Sequence, residues 1–225
     1  DAHNNMSIFL YEKGRLEEAI GACNKAVSLK PDYAEAYNNL GAILQAQERL
    51  EEAIEACNKA VSLKPDYAEA YNNMGNALKD QGKLDEAMEA YNKALAIKSD
   101  LVEAWNNGAE ALEKWNKLDD LEIWLEKAFK SFETVPAELR LMKSKLLWRN
   151  KKFEETSTLL LDINLEAISE NRKKDYLSLK AKCLEQSKKF EDAYKCFAKR
   201  NSLEKKSKEY LSCDPEQYFQ NLKDE

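Results

Sequence analysis

The chain has 225 residues, of which 34% are charged, 44% hydrophobic and 9% aromatic, with only six glycines and four prolines. That balance excludes a disordered chain and leans to helix, because Ala, Glu, Lys and Leu propagate helices and little here interrupts them. The formal charge of −6 is unevenly shared: residues 1–133 hold 15 Lys and Arg against 25 Asp and Glu, whereas residues 134–225 hold 20 against 16.

No apolar run approaches the ~20 residues that span a bilayer, and no signal peptide opens the chain. The expectation is a soluble, cytoplasmic protein that engages neither membrane nor nucleic acid, since no basic cluster is interleaved with aromatics. Cysteines stand at 23, 57, 183, 196 and 213 without a C-x-x-C pair, and His3 is the sole histidine. A zinc site is not expected, and reduced thiols are.

The first hundred residues repeat with a period of 34. Residues 15–39 read RLEEAIGACNKAVSLKPDYAEAYNN, and residues 49–73 repeat them with one change, Gly21 to Glu55. A third copy, KLDEAMEAYNKALAIKSDLVEAWNN, runs over residues 83–107. The first unit carries Met6, Ser7, Leu10, Ala19, Cys23 and Pro31. The second carries Tyr37, Leu40, Gly41, Leu44, Ala53, Cys57 and Pro65. The third carries Tyr71, Met74, Gly75, Leu78, Ala87 and Tyr91, with Ser99 where the proline would stand. Apolar residues at helical spacing mark two helices per unit. Gly14 and Gly82 fall in the turn between them. Pro31 and Pro65 end the second helix, because proline cannot continue a hydrogen-bonded turn. Asp32, Asp66 and Asp100, three residues before Glu35, Glu69 and Glu103, have the spacing of a capping box.

These marks resemble the tetratricopeptide repeat, whose first helix carries W-x-x-L-G-x-x-Y and whose second carries A-x-x-x-F and a closing proline. The resemblance implies an all-α, right-handed superhelical solenoid of antiparallel helix pairs, first helices lining the concave face. One pair cannot bury both its faces, so neighbours must stack.

Further along, the pattern frays. The fourth unit, residues 102–133, keeps Trp105, Ala109, Leu112 and Ala128 but has Leu121 where Ala belongs and Gly108 where a large apolar residue belongs. Repacking is expected there, with Leu121 filling space that Gly108 vacates, rather than a ligand box built from Trp115 and Trp124. Residues 1–133 thus read as four units, the first truncated and the fourth divergent. After a connector at 131–136, residues 134–213 read as two degenerate units, bringing the total to about six. Ser144, Leu147, Phe153, Thr156 and Leu160 mark one, and Ala181, Leu184, Phe190, Ala193 and Phe197 the other. Residues 214–225, opening on Asp214-Pro215-Glu216-Gln217, read as the start of a further helix or a linker to a missing domain. Asp1 falls at the register of Glu35, inside a first helix, so the expectation is a piece of a longer protein. Residues 193–225 also resemble the stretch before the catalytic domain in bacterial repeat-containing sulfotransferases.

Catalytic machinery is not expected. His3, at the register of Tyr37, reads as a packing residue, and Glu17-Glu18 and Glu51-Glu52 sit where negative charge favours a helix start. No cofactor is called for. The functional candidate is a row of asparagines, Asn5, Asn39, Asn73 and Asn107, each preceded by another: Asn4, Asn38, Asn72 and Asn106. Asn is a mediocre helix former, so its recurrence needs a cause. One cause is a hydrogen bond between neighbouring first helices; the other is a ladder of amides offered to a peptide backbone. The register resembles the asparagine ladder in the repeats of O-linked N-acetylglucosamine transferases. A lysine and arginine clamp for a terminal carboxylate is not expected, since Glu35, Glu69, Ala42 and Asn76 hold its places. The leading expectation is a protein-interaction scaffold that binds an extended protein or peptide ligand in a concave groove. The alternatives are the repeat arm of a sulfotransferase and a structural or self-association module.

Overall fold

The computed structural model describes residues 1–203, and it divides the chain into two compact units, Asp1–Glu133 and Thr134–Glu225. The helix start expected at Asp214 lies outside the described residues. All regular structure among the described residues is helical.

Unit 1 contains four helix pairs: α1 (Ala2–Glu12) with α2 (Leu16–Leu29), α3 (Ala34–Ala46) with α4 (Leu50–Leu63), α5 (Ala68–Asp80) with α6 (Leu84–Ile97), and α7 (Val102–Lys114) with α8 (Leu118–Lys130). Each helix packs on its own partner, and each second helix packs on the next first helix. First helices also pack on successive first helices, α1 on α3, α3 on α5 and α5 on α7.

The turn inside each pair is a single device used four times. Gly14, Glu48, Gly82 and Asn116, spaced by 34, all take left-handed backbone, with φ of 71°, 60°, 85° and 55°. The next residue then donates its N–H five residues back, Arg15 to Leu10 O at 2.9 Å and Lys83 to Leu78 O at 2.9 Å, which closes a Schellman cap. Glu48 holds this conformation against a steric penalty of roughly 1–2 kcal/mol that glycine escapes. Glu48→Gly is therefore expected to stabilise unit 1 by about 0.5–1 kcal/mol after the entropy of an extra glycine is deducted. A urea melt checks it; a loss of stability would show that the Glu48 side chain matters more than its backbone.

Between pairs, α2 and α4 end at Leu29 and Leu63, one residue before the Lys that precedes Pro31 and Pro65. Helix α6 ends at the equivalent Ile97 although Ser99 replaces the proline, so the turn closed by Leu101 N–H on Lys98 O at 3.1 Å suffices. The expected capping boxes do not form. The N-caps are Tyr33, Tyr67 and Leu101, none with a side-chain cap hydrogen bond. Asp32 stands one residue too early, and Tyr33 N–H already closes the turn onto Lys30 O at 3.2 Å. Glu35 and Glu69 instead face Lys64 and Lys98, each at 3.4 Å.

The core follows one register. Ala19, Ala53 and Ala87 are fully buried, as are Cys57 and Tyr91, which lie in the pair interface opposite the first-helix glycines Gly41 and Gly75. A Cβ on Gly41 would meet Cys57 Sγ at 2.5 Å and the Ala53 carbonyl at 3.2 Å, and one on Gly75 would meet the Tyr91 ring at 2.5 Å. The Tyr91 hydroxyl, buried with its ring, donates to Asn76 Oδ1 at 2.8 Å. Burying a side chain such as Ile43 contributes roughly 1.5–3 kcal/mol, so the stack is held by many such contacts between pairs.

The fourth pair is repacked differently from expectation. The ring over Gly108 belongs to Trp124, not to Leu121, which is buried elsewhere in the α8 face. Trp124 Nε1 donates to Trp105 O at 2.9 Å, and the two indoles meet edge to face at 4.8 Å. His3 is exposed in α1 and makes none of the packing expected of the Tyr37 register.

Unit 2 holds α9 (Ala137–Arg149), α10 (Phe153–Leu161), a 3₁₀ turn at Leu165–Ala167, α11 (Glu170–Gln186) and α12 (Phe190–Leu203). Lys151 and Lys188 occupy left-handed backbone inside its two pairs, at φ of 60° and 57°, and Lys152 and Lys189 make the same return bond to Leu147 O and Leu184 O. Ser144 and Thr156 are fully buried and place their hydroxyls on the Arg140 and Lys152 carbonyls, each at 2.8 Å. That keeps the pair close without an orphaned polar group. Leu141, Leu160, Ile163, Ile168, Tyr176 and Leu179 form its core.

Burial also governs the thiols. Cys23, Cys57 and Cys183 are buried and Cys196 is half-buried, all four unpaired. Burial pushes the Cys57 thiol up to about 12. Because the thiolate is the nucleophile, brief iodoacetamide treatment is expected to label Cys196 first of these four and Cys57 only on unfolding. Peptide mass spectrometry reads the order, and early labelling of Cys57 would mean that the α3–α4 contact opens.

Candidate functional site

The asparagine doublets lie on the first helices, and the helix-to-helix packing brings them into register. Asn39 Nδ2 donates to Asn4 Oδ1, Asn73 Nδ2 to Asn38 Oδ1 and Asn107 Nδ2 to Asn72 Oδ1, each at 2.9 Å. The donors are half-buried, and the acceptors Asn4, Asn38 and Asn72 are buried. The expected brace between neighbouring first helices therefore exists, and it links α1 to α3, α3 to α5 and α5 to α7. Asn5, which heads the row, is exposed on α1.

Each donor amide has capacity beyond its brace. A primary amide carries two N–H groups and a carbonyl oxygen with two lone pairs. One N–H is committed to the neighbouring helix, which fixes the plane of the amide. The Tyr67 hydroxyl lies against the Asn38 amide. Burial, then Glu35 and Glu69, push its pKa up to about 12, so it remains a neutral hydrogen-bonding group. Around the row, α1 exposes Ile8 and Tyr11 at the positions that Ala42 and Gln45 occupy one repeat later.

The carboxylates that might have done acid–base chemistry are structural ties. Gln47 Nε2 donates to Glu17 at 2.9 Å and Gln81 Nε2 to Glu51 at 2.7 Å, joining a turn to the start of the preceding second helix. Glu18 and Glu52 pair with Arg15 and Arg49, and those hydrogen bonds hold both carboxyls below their usual range. Among the described residues no three His, Cys, Asp or Glu side chains group to hold a metal. Nor is any described helix long and apolar enough to cross a membrane. The residues that sequence reasoning left out of the row are the acceptors Asn4, Asn38 and Asn72; the signal was the doublet itself, repeated at every register.

Together these features define a helical-repeat scaffold: stacked pairs, with the side chains of one face tied in a regular row. Residues 32–100 match the family model for the tetratricopeptide repeat, and residues 10–48 match a second model of the same repeat. Residues 10–100 are thus tetratricopeptide repeats. Among solved structures, that of Pseudomonas aeruginosa PilF aligns with 100% of this chain and 97% of its own at a TM-score of 0.76 and 18% identity, a likeness of fold. The structure of MamA is 29% identical over 57% of this chain and 75% of its own, with a TM-score of 0.53. No curated protein matches the chain. Neither family model extends to residues 193–225, and none of the matches is to a sulfotransferase.

Proposed function

We propose that unit 1 is a scaffold that holds an extended polypeptide along its first-helix face and performs no chemistry of its own. The observation that carries this reading is the row Asn39, Asn73 and Asn107, each amide oriented by one hydrogen bond to the preceding first helix. An amide so fixed loses little further freedom on binding, which lowers the cost of recognition. Its remaining N–H and carbonyl match a peptide's C=O and N–H without reading side chains, so binding depends weakly on ligand sequence. Asn5 extends the row to a fourth repeat. The packing of first helix on first helix supports placing this row on the inner side of the stack.

Each rung contributes roughly 0.5–1.5 kcal/mol net, so useful affinity requires several together. Peptides selected from a random library, measured by calorimetry on the whole chain, test the reading. The double variant Asn39→Ala, Asn73→Ala is expected to bind at least about tenfold more weakly, as the loss of two rungs predicts. Unchanged affinity in that variant would sink the proposal.

A further inference from the structure

From the groove between α9 and α11 we infer a second binding site, in unit 2 and separate from the asparagine row, that takes an internal acidic segment of another polypeptide by its side-chain carboxylates. The left-handed turn residues give the register, because Lys151 and Lys188 in unit 2 stand where Gly14, Glu48, Gly82 and Asn116 stand in unit 1. Counted back from them, the asparagine doublets of unit 1 become Leu141-Met142 on α9 and Ser178-Leu179 on α11. Leu141, Met142 and Leu179 are buried, so these positions offer no amide to a peptide backbone. The chemistry changes at another position too. Six residues before the turn residue, Ile8, Ala42, Asn76 and Glu110 of unit 1 become Lys145 and Lys182 in unit 2.

Those two lysines line one groove. Lys145, Trp148 and Arg149 border it from α9, and Asp175, Leu179 and Lys182 from α11, around a volume of about 220 Å³. That is less than the ~300 Å³ at which pockets for whole small molecules begin, so it suits the side chains of a segment laid across it. Charge says which side chains. Three cations stand against Asp175, the one carboxylate among the described lining residues, to which Lys145 Nζ donates at 3.3 Å. Arg200 of α12 adds a cation at the edge, donating to Ser178 Oγ at 3.4 Å. A cleft lined mainly by one sign of charge concentrates the other. Arg149 and Lys182 are exposed, and Lys145 keeps 27% of its side chain in solvent. Lys145 and Arg149, four residues apart on α9, are separated by about 6 Å along the axis, close to the ~6.7 Å between alternate residues of an extended chain. Acidic side chains at alternate positions therefore meet both. Trp148, 4.7 Å from the Phe153 ring and packed on the unit 2 core, supplies a fixed apolar wall beside them. Asp175 and the chain's net charge of −6 speak against a nucleic-acid backbone, which needs a broad basic surface.

The probe is a fluorescently labelled peptide, GSETESFGS, blocked at both ends, whose glutamates and phenylalanine share one face when extended. It is titrated with the whole chain. Saturable binding below about 1 mM, the weak limit of measurable association, is expected, and it should fade as salt rises from about 0.05 M to about 0.5 M. The same peptide with glutamine for both glutamates should bind at least about tenfold more weakly, since charge-assisted hydrogen bonds are lost. Lys182→Glu and Arg149→Glu, both exposed and outside the core, should each weaken binding by at least about tenfold, while Lys182→Arg retains it. Asn39→Ala with Asn73→Ala, which lies in unit 1, should leave it unchanged. No saturable binding, equal binding of the glutamine peptide, or undiminished binding to both Glu variants overturns the inference. So does a single-stranded oligonucleotide that binds more tightly and displaces the peptide, because the occupant would then be nucleic acid. Light scattering that shows a dimer of the chain lost in Lys182→Glu overturns it as well, by making the occupant a second copy.

Discussion

Trp124→Ala is expected to destabilise unit 1 by about 3–5 kcal/mol, the range for emptying a large aromatic from a packed interior. The ring is only 5% exposed, covers Gly108, donates to the Trp105 carbonyl and meets the Trp105 indole edge to face. Truncation removes the buried surface and leaves that carbonyl without its side-chain donor. Gly108→Ala should cost about 1–3 kcal/mol for the opposite reason, since its Cβ would enter the space of the indole, 2.7 Å from Cε2. The two changes share one space, so their costs should not add. Once the ring is gone, Gly108→Ala ought to be almost neutral, and the double variant should melt close to Trp124→Ala alone. A thermal midpoint lowered on the order of 10 °C in Trp124→Ala gives the scale. Strict additivity in the cycle would mean that some other residue fills the groove above Gly108.

The second large effect concerns the asparagine row, where bracing and binding are joined in the same side chains. Asn39→Ala with Asn73→Ala deletes two helix-to-helix hydrogen bonds as well as two rungs. Stability should therefore fall by about 1–3 kcal/mol, and the melting curve alone does not separate the roles. A matched pair of variants does. Asn4→Ala with Asn38→Ala deletes the same two braces by removing their acceptors, yet leaves the amides of Asn39 and Asn73 on the face. Both double variants should lose similar stability. Binding per folded molecule should drop at least about tenfold further when the donors are removed than when the acceptors are, because only the donors meet the ligand in the proposed mode. Equal losses of affinity would assign the row to bracing alone and leave the ligand to another surface.

Much of this was legible before any coordinates, and for a physical reason. A period of 34 with one change in 25 positions forces one local structure to recur, and apolar spacing, proline and glycine mark where its helices start and stop. The small residues Ala53 and Gly41 could be assigned to a close contact on size alone. What remained open were partners across space. Asp32 and Glu35 have capping spacing, but a backbone turn and Lys64 took up the groups involved, and no one-dimensional spacing reveals a competitor. Leu121 and Trp124 are both large and lie three residues apart on one helix. Only the crossing of α7 and α8 decides that the indole rests on Gly108.

The asparagines divide along the same line. Their identity, their doublets and their placement on every first helix follow from the sequence, because the repeat carries them to equivalent positions. Which asparagine donates and which accepts depends on how far one first helix is displaced from the next, a property of the stacking. The tertiary structure sets that offset at 35 residues, one more than the repeat, so each second asparagine of a doublet reaches back to the first asparagine of the preceding one.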